Sequence, residues 1–247
     1  MSESSTTKST TSALRDNLIL LFALFFPSIM TWAYFVWGKS LAPDVSRYVF
    51  AVGKTLQFAF PVVITAFVLK KRWLIRRPNR RGLLVGGLFG FVVALVIFFL
   101  GRYGVQSTSS LTPLFERLRD ELFARLEPLG LASRGAFLAL LFFYSIFHSG
   151  LEEYYWRWFA CGRLAKRLPW GVATLVANVA FTLHHIILLG VYFGYAHWLT
   201  WLASFGVFVG GVVWQTIYRR FDSIYGAWLS HGLIDAGIFA VGLLFFA

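Results

Sequence analysis

Glu152-Glu153-Tyr154-Tyr155-Trp156-Arg157 stands inside an apolar stretch that begins near Gly135. Two adjacent carboxylates and an arginine in that setting decide how the chain folds. A carboxylate at the centre of a bilayer costs about 3 kcal/mol on insertion scales, so intramembrane charges pair with one another or line a polar cavity, and by default they mark a functional site.

The sequence on either side is that of a membrane protein. Of 247 residues, 58% are hydrophobic and 14% charged, whereas about a quarter of a soluble domain is charged. At about 20 residues per crossing, the stretches 18–37, 48–69, 83–100, 135–160, 170–189, 198–218 and 223–246 can each span. The expected fold class is all-α, a polytopic transmembrane helical bundle of about seven membrane-spanning helices, with the division near 190–197 the hardest to place. A polar tail, 1–13, precedes a single membrane-embedded domain, 14–247. The apolar segment after Asn17 ends without a small-residue cleavage site, which makes it an uncleaved first crossing rather than a signal peptide.

The formal net charge of +12 is unevenly placed. Lys70, Lys71, Arg72, Arg76, Arg77, Arg80 and Arg81 crowd one loop, Arg163, Lys166 and Arg167 a second, and Arg219 and Arg220 a third. These alternate with loops where basic residues are few, balanced or absent. Nucleic acid is therefore not the expected partner; the bilayer is, with anionic lipid at the basic loops. The positive-inside rule puts the N-terminus in the cytoplasm, and the compact chain suggests a bacterial inner membrane as its home.

Between the third and fourth crossings, Leu114, Phe115, Leu118, Leu122, Phe123, Leu126 and Leu129 recur at three- and four-residue steps. Thr112 and Pro113 suit a helix start, and Pro128 and Gly130 a stop. An interfacial amphipathic helix is expected there, with Glu116, Arg117, Arg119, Asp120, Glu121 and Arg125 on its wet side. It either caps the bundle or gates a substrate. Gly86 with Gly90, and Gly206 with Gly210, suit close internal helix packing more than dimerisation. Cys161 is a lone cysteine, which excludes an internal disulfide and suits a packing role. Lys54 lies near its helix start, where it can snorkel, and neither it nor Gln57 is assigned chemistry.

On a helix turning about 100° per residue, the two carboxylates face different neighbours. Glu153 and Arg157 form an i, i+4 pair in the favourable order. Glu152 is left without a local cation, available as a general base or else bonded to His148 or Tyr155 to lock helices together. In the fifth crossing, His184 and His185 cannot both aim equally well at one point. In the seventh, His231 and Asp235 share a face.

Glu152-Glu153-x-x-x-Arg157, Phe181-x-x-x-His185 and His231-x-x-x-Asp235, in that order on successive apolar helices, resemble the CAAX protease and bacteriocin-processing family. That family includes type II CAAX prenyl endopeptidases and lysostaphin-resistance-type proteins. The resemblance implies an intramembrane glutamic endopeptidase that needs no cofactor and no metal, with a catalytic core at about 135–247. Its substrate is a protein or peptide, lipidated or not. By motif, Glu152 and His185 would activate a water, Glu153 and Arg157 would support them, and His231 with Asp235 would stabilise the oxyanion. Phe181 becomes a wall of the cavity. Where the family has Asn or Asp, an ionised Asp235 has no proton to donate, so the work expected of Asp235 is to orient His231 or to donate while protonated.

Two other classes stay open. His148, Glu152, His185, His231 and Asp235 are competent ligands for a metal-dependent membrane hydrolase, although no H-E-x-x-H occurs. A membrane scaffold, immunity factor or transporter could use the same polar core to hold helices or pass protons.

Overall fold

The structure, a computed structural model, describes residues 3–70, 76–106 and 112–246. Met1 and Ser2 of the polar tail, and Lys71 and Arg72 of the first basic loop, lie outside the described residues. Among the described residues there are helices and no strands, and seven helices are long and apolar enough to cross a membrane. They are α1 (Glu3–Phe35), α2 (Pro43–Val63), α3 (Arg80–Gln106), α5 (Arg134–Leu164), α6 (Trp170–Phe193), α7 (Trp198–Phe221) and α8 (Tyr225–Leu243). The shorter α4 (Thr112–Leu126) is the expected amphipathic helix. Gly194, at φ 92°, ends α6 in a conformation that a side chain would strain, so the chain turns there into α7 rather than running on.

The outside of the bundle is apolar because its solvent is hydrocarbon, and each helix satisfies its own backbone polar groups. Leu84, Leu88, Phe91, Phe99 and Leu100 of α3 all point outward. The polar loops sort to opposite ends. Arg163 and Arg167 reach Asp16 of α1 at 3.4 and 3.2 Å, and Arg76 reaches Asp222 at 3.1 Å, so the three basic loops share one end. At the other end α4 packs against α6 and α3 and reaches the end of α1. Two of its charges depart from the expected wet side. Lys39 donates to Glu121 at 2.9 Å, and Arg125 donates to the Phe35 carbonyl at 3.2 Å while lying over the Phe35 ring. Both side chains are partly buried because Phe35, at the end of α1, and Lys39, in the turn just beyond it, supply them with partners.

Helix α8 sits among α3, α5 and α7. Its approach to α3 depends on small residues: a Cβ on Gly86 would meet the Gly226 carbonyl oxygen at 2.0 Å. Gly86 and Gly90 therefore serve internal packing, as their spacing predicts. Gly206 does not. A Cβ there would meet nothing within 4 Å, because that face of α7 has no neighbouring helix, and the small residue is not needed for contact.

Helix α5 is not uniform. Its backbone widens into π-helical turns over Phe143–His148 and Tyr154–Cys161, bracketing an α-helical segment, Ser149–Glu153, that carries both carboxylates. Such turns are rare and cluster at functional sites. Gly232 of α8 packs against the first of them, where a Cβ would stand 2.1 Å from the Ser145 carbonyl oxygen. Gly232→Ala should therefore destabilise the protein by about 1–3 kcal/mol through overpacking, measured by denaturation in detergent, while Gly206→Ala should have no comparable effect.

Candidate active site

Glu153 and Arg157 are both 0% exposed. The Arg157 Nε donates to Glu153 Oε2 at 2.9 Å, and its remaining nitrogens donate to Asn178 Oδ1 at 2.7 Å and Glu153 Oε1 at 3.4 Å. The guanidinium also lies 5.0 Å from the centre of the Phe181 ring and 5.7 Å from that of Trp214. Charge and donors are thus satisfied inside the bundle, as a buried ion pair requires. Asn178 is itself held by donating to the Thr174 carbonyl at 2.8 Å.

His231 completes the arrangement from α8. Its Nδ1 donates to Glu153 Oε1 at 3.0 Å, leaving Nε2 3.8 Å from Glu152 Oε2 and 3.7 Å from Asp235 Oδ1. The ring stacks on Trp214, centroids 4.1 Å apart, and the Trp214 Nε1 donates to Ser230 at 2.9 Å. The imidazole is therefore fixed in both tilt and position.

Glu152 is 2% exposed and has no Arg or Lys within ion-pair range among the described residues. Histidines surround it instead. His148 Nε2 lies 3.8 Å from Oε1, and His184 Nε2 3.5 Å from the same oxygen. Tyr155 does not serve it, since its hydroxyl donates to the Ala23 carbonyl at 2.8 Å. His184 stacks flat on Trp156, and among the described residues neither of its ring nitrogens makes a close hydrogen bond, the contact with Glu152 being 3.5 Å long. His185 donates through Nδ1 to the Phe181 carbonyl at 3.0 Å, which directs Nε2 away from its own helix. Asp235 is the more open member, its side chain 18% exposed.

One oxygen of Glu152 and one nitrogen each of His184 and His185 all lie within 4.8 Å of one another. The helical angle between the two histidines suggests that one must be secondary; the structure brings both to the same carboxylate, and His184 contacts it directly. Three atoms no more than 4.8 Å apart share a point no farther than about 2.8 Å from each, within reach of a hydrogen bond. The same three residues could also hold a metal, since ligands about 2.0–2.2 Å from zinc stand roughly 3.5 Å apart, as His184 Nε2 and Glu152 Oε1 do.

Every one of these motif residues falls within residues 134–237, which match the family described as type II CAAX prenyl endopeptidase Rce1-like. Residues 134–237 belong to that family. It is a family of proteases, and it covers α5 through most of α8. No curated protein and no solved structure matches the chain.

Sequence reasoning alone misses Asn178, Trp214 and Ser230. Asn178 carries a signal, as an amide three residues before Phe181 in an otherwise apolar helix; Trp214 has none among ten tryptophans. Arg157→Leu should cost about 3–5 kcal/mol, because Glu153 is left charged and buried without its partner. Glu152→Gln should stay within about 1 kcal/mol of the parent, since it removes no close ion pair. Denaturation midpoints in one detergent separate the two outcomes.

Proposed function

We propose that the protein is an intramembrane endopeptidase that hydrolyses a peptide bond near the C-terminus of a lipidated protein or peptide, without a metal. The observation that carries this is the convergence of Glu152, His184 and His185, whose polar atoms lie within 4.8 Å of one another, close enough for one water to bridge them. A water held there has three polar partners, as an ordered buried water requires.

Glu152 takes a proton from the water, and the resulting hydroxide attacks the scissile carbonyl carbon. The carbonyl oxygen becomes an oxyanion, and His231 in its doubly protonated form donates to it from Nε2. Glu152 then returns its proton to the departing amine nitrogen, the C–N bond breaks, and the free carboxyl group is left on the upstream fragment. His185, with Nδ1 committed to Phe181, accepts from the water through Nε2, and His184 orients Glu152. Glu153, Arg157 and Asn178 hold His231 in place. Asp235 faces the same Nε2 and orients the ring. The basic loops at one end support a cytoplasmic N-terminus, with anionic lipid alongside them.

A second arrangement rests on the same three residues. If they bind zinc or another divalent ion, the metal supplies the activation of water. Purified protein with a farnesylated peptide as substrate distinguishes the two. Exhaustive chelation should leave the rate unchanged, and Glu152→Gln should lower kcat by about 10²- to 10⁴-fold, the span of general-base catalysis, at normal abundance. Loss of activity on chelation with recovery on adding metal would select the metal arrangement. Retention of full activity by Glu152→Gln would overturn both.

A further inference from the structure

Lys54 and Gln57 belong to α2, outside residues 134–237. Lys54 does not snorkel to the interface. Its Nζ turns inward, 3.4 Å from His148 Nε2 and 5.4 Å from the centre of the Phe58 ring. His148 Nε2 is in turn 3.8 Å from Glu152 Oε1, and the two distances added place the ammonium within 7.2 Å of that oxygen. No carboxylate among the described residues comes within ion-pair range of Lys54. Three residues on, along the same helix face, Gln57 is 1% exposed and its Nε2 has no hydrogen-bond partner among the described residues.

An ammonium inside a bilayer protein is costly unless an anion meets it, and a buried amide donor left unpaired costs more than its hydrogen bond would return. Here both lie on one face of α2, and Lys54 points toward Glu152 by way of His148. A cation serving only to neutralise Glu152 would contact it directly; instead His148 stands between them. Lys54 has three N–H donors, and His148 takes one.

We propose that Lys54 and Gln57 form the subsite that receives the free C-terminal carboxylate of the substrate. The proposal rests on the endopeptidase assignment above. The ammonium lies no more than 7.2 Å from Glu152 Oε1, so with a charge-assisted contact of about 2.8 Å a chain end held there is no more than roughly 10 Å from the carboxylate, within the span of three extended residues. A C-terminal C-a-a-X sequence has three residues beyond its lipidated cysteine. A subsite at Lys54 would therefore hold the chain end within reach of Glu152.

The test uses the full-length protein and two farnesyl-cysteine peptides with three residues after the cysteine, one ending in a free acid and one in an amide. The wild type should cleave the acid with kcat/KM about tenfold or more above that for the amide, as expected for a hydrogen bond to a charged group. In Lys54→Met this preference should fall toward one, with the loss on the acid peptide in KM, as removal of ground-state binding predicts. Lys54→Arg should retain the preference, and Gln57→Leu should reduce it. An equal drop in kcat on both peptides, with the preference intact, would make Lys54 a positioning residue acting through His148 and overturn the subsite. Equal cleavage of both peptides by the wild type would overturn the subsite alone, whether or not the variants fold. Cleavage of neither would overturn the protease assignment and the subsite with it.

Discussion

A guanidinium and a carboxylate withdrawn from both water and lipid persist only while each satisfies the other, and the pair formed by Arg157 and Glu153 imposes that condition on four helices at once. Asn178 of α6 takes a donor that Glu153 does not use, Trp214 of α7 covers the guanidinium, and His231 of α8 donates to Glu153 Oε1, which it shares with Arg157. Because a broken buried pair is so unfavourable, these elements cannot shift independently. The constraint also divides the labour between two adjacent residues. Glu153 is consumed by structure, and Glu152 is left facing imidazoles with no close cation of its own.

The wide turns of α5 work to the same end. With the backbone π-helical on either side of Ser149–Glu153, the chain delivers Tyr155 to α1 and Trp156 to His184 while keeping Glu153 one turn from Arg157. The site is thus built by rigid elements and aromatic stacking, the conditions under which a reacting group stays within the small tolerance that catalysis demands. Its polar groups converge from α2, α5, α6 and α8, and Asp235 and His148 are its more open members.

Much of this is legible in the sequence because bilayer physics is simple. Hydropathy and length identify the seven crossings, since every spanning segment must satisfy its own backbone, and alternation of basic loops predicts which ends lie together. The i, i+4 spacing separates Glu153 from Glu152 before any contact is known. What stays hidden depends on tertiary contact. Lys54 sits close enough to a helix end to suggest snorkelling, and only the position of His148 shows that it turns inward. His184 and His185 cannot be ranked from an ideal helical wheel, because which nitrogen reaches Glu152 depends on how α6 tilts against α5. Glu121 and Arg125 look solvated until the end of α1 and the turn after it supply the Phe35 carbonyl and Lys39. Gly206 carries a packing pattern with no partner to pack against.

The central claim is that Glu152 activates a water rather than attacking the substrate itself. A single turnover in H₂¹⁸O, with enzyme in excess over a farnesylated peptide, tests this by mass spectrometry of both the product and the peptide containing Glu152. Attack by water predicts one ¹⁸O in the new product carboxyl group and none in Glu152. Appearance of ¹⁸O in the Glu152 side chain, with unlabelled oxygen in the product, would contradict it.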